Sequence, residues 1–160
     1  MELTKHLSKH LKDVNYGGNW TTSNLKDILA GTTWQQATTQ VYSLNTIATL
    51  VFHINYFVGV ATRVLQGGPL VGKDSLSFNH PPIESQQDWE DLLQKTFAEA
   101  NTFAALIEQL PDSKMWEPFT DSKYGNYYRN IQGIIEHTHY HLGQIAVIKK
   151  ILVQVTDSTS

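Results

Sequence analysis

Cysteine is absent from this chain of 160 residues. That absence excludes a disulfide framework, a thiolate metal site and a cysteine nucleophile, so any metal ion must be held by His, Asp or Glu. Concentrated positive charge is also missing, because 12 Lys and Arg stand against 15 Asp and Glu for a formal net charge of -3. Binding a nucleic-acid backbone requires a concentrated basic surface, so nucleic-acid partners are not expected. Lys149 and Lys150 are the only adjacent cations, and they suit a helix C-terminus, where positive charge is favourable. No apolar run reaches the roughly 20 residues of a membrane span. The N-terminal residues 1–6 lack the cationic and apolar regions of a signal peptide, so a cytoplasmic protein without membrane association is expected. What is present is the composition of an ordinary soluble domain, 41% hydrophobic and 17% charged, and residues 1–160 read as one domain with a real core.

The apolar pattern is helical throughout, without internal repeats or strand alternation. Leu3, Leu7, Leu11 and Val14 predict a first helix over about 2–14, stopped by Gly17 and Gly18. A short helix over 25–30 follows, capped by Ser23 or Asn24. From Trp34 to Gln66 the chain contains no proline, and Leu44, Ile47, Ala48, Val51, Ile54, Val58 and Leu65 form an apolar stripe. This is read as a long second helix, with a break near its beginning left open. Residues 67–84 form a loop, and Ser85 with Asp88 resembles a capping box opening a third helix that ends at Pro111. A second loop, 111–125, precedes a fourth helix over about 126–153, and the tail from Thr156 has nothing to bury. Four amphipathic helices predict an all-α four-helix bundle.

Two histidines, His137 and His141, lie four residues apart inside the last helix, about 40° apart around its axis. That spacing suits two ligands to one metal ion; the alternative is a pair of core histidines bonded to nearby carbonyls. The third ligand has to come from elsewhere. His53, in the apolar run 49–57, is the best candidate, because an unpaired imidazole there would be costly to bury. His139 lies about 200° from His137 and is not expected on the same ion. His6 and His10 form a rival pair on a helix rich in lysine, and His80 is a loop residue. Glu136 and His139 make a Glu-x-x-His spacing, but no other glutamate has a histidine three residues later. A carboxylate-bridged di-iron centre is therefore disfavoured against a mononuclear three-His site.

The stretch His137-Thr138-His139-Tyr140-His141-Leu142-Gly143-Gln144-Ile145, with a weaker match from Trp20 through 25–27 to 36–37, resembles the DinB-like superfamily. This superfamily includes YfiT-type metal-dependent hydrolases and bacillithiol S-transferases. The resemblance implies an up-down-down-up bundle in which His53, His137 and His141 bind one divalent ion, with Zn, Ni, Fe or Mn all admissible. One departure is His139, where the family often has an acidic or small residue. The implied chemistry is a thiol-dependent S-transfer or a hydrolysis at an open three-His metal site, on a small-molecule substrate with a low-molecular-weight thiol as cosubstrate. The rival reading is a non-enzymatic metal-binding, structural or stress-related bundle protein. Gln144, Tyr56 and Tyr140 are candidates for orienting the site, Gly143 for close helix approach, and Trp20 with residues 67–82 for a roof over the pocket. A homodimer is also expected, from family members that pair through helix faces and from an aromatic surface carrying Trp89, Phe97 and Phe103.

Overall fold

The computed structural model describes residues 2–157. It is all-α, with six helices: α1 (Leu3–Tyr16), α2 (Leu25–Leu29), α3 (Trp34–Thr38), α4 (Ile47–Leu65), α5 (Gln86–Gln109) and α6 (Tyr127–Asp157). The four long helices form the body. α5 packs against both α1 and α4, and α6 packs against the same two helices from the other side. The core is therefore enclosed on four sides, with Leu11, Val51, Trp89, Phe103, Ile135 and Ile145 fully buried at its centre. Met115 and Phe119, from the loop after α5, close one part of it.

Local chemistry accounts for the helix starts. Asn24 caps α2 by accepting from the amide of Asp27 at 2.9 Å, and Thr33 with Gln36 forms a complete capping box on α3. Ser85 caps α5 as expected, but the Asp88 carboxylate accepts from the amide of Glu84 and the hydroxyl of Ser85, one residue away from a standard box. α1 is capped from a distance. Asp112 accepts the amides of Leu3 and Thr4 at 3.0 Å, which ties the start of the chain to the turn after α5 and holds that carboxyl below the usual carboxylate range.

The expected long second helix is two helices separated by residues 39–46. Thr38 and Thr39 hydroxyls bond back to the carbonyls of Trp34 and Gln35, Tyr42 adopts a φ of 51°, and Thr46 caps a fresh start by accepting from Thr49. Leu44 leaves the apolar stripe for this connector and is exposed. α4 then reads as the central helix. Its 19 residues are long and apolar enough to cross a membrane, but 61% of its most apolar stretch is buried within the fold.

Three further expectations change. Trp89 and Phe103 are fully buried, and half-buried Phe97 packs on Tyr16 with ring centroids 5.5 Å apart, so this aromatic set belongs to the core and offers no support for a homodimer. Lys149 does sit at a helix C-terminus, but not its own. Its Nζ donates to the carbonyls of Ile28 at 2.7 Å and Ala30 at 2.6 Å, closing the end of α2. Finally, α6 runs on to Asp157, past the expected end near Val153, and residues 158–160 of the tail lie outside the described residues.

Candidate metal centre

The three histidines singled out by spacing and burial converge. His53 projects from the middle of α4, and His137 and His141 project from successive turns of α6, where the two helices pack. His137 Nε2 lies 2.9 Å from His53 Nε2 and 3.0 Å from His141 Nε2. One ring nitrogen of each lies within 4.8 Å of the others, and no fourth His, Asp or Glu joins them among the described residues. His53 and His141 are 4% and 7% exposed, and His137 is half-buried.

The outward nitrogens decide what the inward ones can do. His53 Nδ1 is 2.8 Å from Ser77 Oγ, and that hydroxyl donates its own proton to the carbonyl of Asp74 at 2.6 Å. Ser77 is thus left to accept, so His53 carries its proton on Nδ1 and presents a lone pair at Nε2. His141 Nδ1 faces Gln144 Oε1 at 2.7 Å, a pure acceptor, with the same result. Two fixed lone pairs therefore point at His137 Nε2. His137 has no such partner, because its Nδ1 is buried without a hydrogen bond. A proton on His137 Nε2 would be accepted by the lone pairs of both neighbours. With its proton on Nδ1 instead, His137 would present a third lone pair at Nε2, and three neutral imidazoles with acceptors behind two of them form a familiar donor set for a divalent ion.

Electrostatics agree with neutral rings. Burial, followed by the neighbouring His141 and His53, pulls His137 down to about 4, and burial with His141 lowers His53. Aromatic rings hold the cluster in place. Phe78 stacks on His53 at 4.1 Å between centroids, and Phe57 sets its edge against both His53 and His137 at 5.2 Å.

Of the accessory residues expected, Gln144 takes the orienting position, bonded to His141. Tyr56 acts on the loop instead, where its hydroxyl accepts from the amide of Lys73 at 2.8 Å. Tyr140 is exposed, with its ring 4.9 Å from that of His141. The loop 67–82 does reach the site, through Ser77 and Phe78. Trp20 does not act as a roof, because it is 97% exposed, its side chain standing in solvent. Gly143 is not a close-packing contact either, since a Cβ built there meets nothing within 4 Å. Ser77, Phe57 and Phe78 were missed by sequence reasoning. Phe57, one turn after His53, was recoverable from helical spacing; a loop serine and phenylalanine carry no such signal.

Two clefts flank α6, neither of them lined by the three histidines. One of about 710 Å³ is lined by His10, Glu136, His139 and Gly143 among others, and one of about 500 Å³ by Leu44, Leu50, Tyr140, Gly143, Gln144 and Val147. His139 thus faces away from the three-His cluster, as expected. Burial, with His10 opposite, lowers its pKa.

Residues 19–145 match the family model described as the DinB superfamily, a span that includes all three converging histidines. No curated protein and no solved structure matches the chain.

Proposed function

The chain belongs to the DinB superfamily, and on that premise we propose that His53, His137 and His141 hold one divalent metal ion and that the protein is a metal-dependent enzyme, either a thiol-dependent S-transferase or a hydrolase. The observation that carries this reading is the convergence of three Nε2 atoms with Ser77 and Gln144 accepting behind two of them. A divalent ion held there would supply a Lewis acid able to activate a water or a substrate thiol. Ser77 and Gln144 keep protons on the outer nitrogens and so keep the inner lone pairs available. Phe57 and Phe78 fix the ring planes and limit water at the cluster.

Because the chain has no cysteine, any nucleophilic sulfur belongs to a low-molecular-weight cosubstrate. Zinc, nickel, iron and manganese are all compatible with three imidazoles. A cytoplasmic site of action fits a thiol cosubstrate. The second reading is a non-enzymatic metal-binding protein, and the burial of His53 and His141 favours it, since a closed site suits metal retention better than turnover.

The deciding experiment is metal analysis of the purified protein, followed by turnover assays with several low-molecular-weight thiols and a small electrophile, and with hydrolysable esters and amides. Thiol consumption or hydrolysis that depends on added metal supports the enzyme. Tightly bound metal with no turnover across these substrates supports the second reading.

A further inference from the structure

The Glu-x-x-His spacing of α6, unused by the three-His cluster, meets a histidine from another helix. His139 and His10 approach across the α1–α6 seam with ring centroids 5.9 Å apart and planes tilted by 53°. The three rings of the buried cluster are spaced at 4.5 to 4.8 Å, and only that cluster has its donor atoms already within 4.8 Å of one another among the described residues, so the His10 and His139 rings and the Glu136 side chain must turn toward a common point to share an ion. Glu136 stands one turn before His139 on the same helix, which places both side chains on one side of α6. All three residues line the cleft of about 710 Å³.

Their polar atoms are uncommitted. No hydrogen bond among the described residues engages a ring nitrogen of His10 or His139, and the Glu136 carboxylate accepts only a long contact of 3.5 Å from Gln132. Both rings are half-buried while Glu136 is exposed, so the carboxylate is the most adjustable of the three donors. We infer that His10, His139 and Glu136 form a second metal site, for a borderline divalent transition metal such as zinc or nickel, joining α1 to α6 on the side of α6 turned away from the three-His cluster. Two imidazoles select such ions over magnesium or calcium, and one carboxylate neutralises part of their charge. α1 carries this ligand without its neighbour: His6, one turn earlier, is exposed and does not line the cleft.

The test is calorimetric titration of the metal-free, full-length protein with zinc chloride. Wild type is expected to bind two ions per chain, and His139→Ala and His10→Ala one each. Glu136→Gln should weaken the second ion, His6→Ala should change nothing, and His141→Ala should retain the second ion while losing the first. A single ion in wild type that disappears with His141→Ala overturns this inference and leaves the three-His reading intact. A single ion lost with His139→Ala but kept with His141→Ala does the reverse. Loss of the second ion with His6→Ala but not with Glu136→Gln would identify an α1 surface chelate and also overturn the inference. Far-UV circular dichroism of each variant confirms that the bundle is retained.

Discussion

Ser77 Oγ stands 2.8 Å from His53 Nδ1 while donating its own proton to the carbonyl of Asp74, so a loop serine sets the tautomer of a helix histidine 24 residues away. The consequence is that the character of the cluster depends on a residue outside the helices that carry it. Ser77→Ala should leave the fold intact and lower metal affinity by about 10- to 100-fold, the usual cost of losing a partner behind a ligand. Competition titration against a chromogenic chelator measures it, and an unchanged affinity would remove Ser77 from the site.

His141→Ala should abolish binding at the three-His cluster with helical content preserved, because the bundle is built from many buried apolar side chains and the ion adds one local constraint. His139→Ala should leave affinity at that cluster nearly unchanged. Metal content per chain at limiting metal, read beside far-UV circular dichroism, separates the two; equal loss in both variants would place the cluster on the wrong face of α6.

The metal-free protein should lose stability as pH falls. His137 titrates near 6.5 when unfolded and about 4 when folded, so between these values the unfolded chain binds the extra proton and gains from each unit of acid. Above about 6.5 the contribution is constant, and below about 4 it is fully lost. Urea midpoints from pH 7.5 to pH 4 should therefore decline for wild type, with a shallower decline in His137→Gln. Equal slopes would show that another group governs the acid limb.

Trp89 is fully buried, and its indole Nε1 donates to the carbonyl of Thr32 at 3.0 Å, which fixes the turn between α2 and α3 against α5. Trp89→Ala should cost about 3–5 kcal/mol by emptying a core position. Chemical denaturation gives the value, and light scattering on wild type tests association independently, since a mass staying at 18.1 kDa across micromolar concentrations would argue against a homodimer.

The histidine pair was legible because four residues of helix bring two side chains to one face, and that geometry is local. His53 was legible for a different reason, as a polar group inside an apolar helix that demands a partner. The same local rules located every long helix, since amphipathic stripes and capping residues act within a few positions. The break between α3 and α4 was only loosely legible. A run free of proline looks continuous until Thr38 and Thr39 bond back to the backbone and Tyr42 turns to positive φ.

By itself, then, the sequence determined the long helices, the absence of any thiolate ligand and the three histidines that meet. Tertiary structure alone decided their surroundings: Ser77 and Phe78 arriving from a loop on His53, Asp112 capping α1, Lys149 closing α2, and His10 facing His139. Each of these joins residues from 24 to 129 positions apart. Such contacts follow from how helices and loops pack in space, and no periodicity along the chain encodes which side chain will lie opposite another.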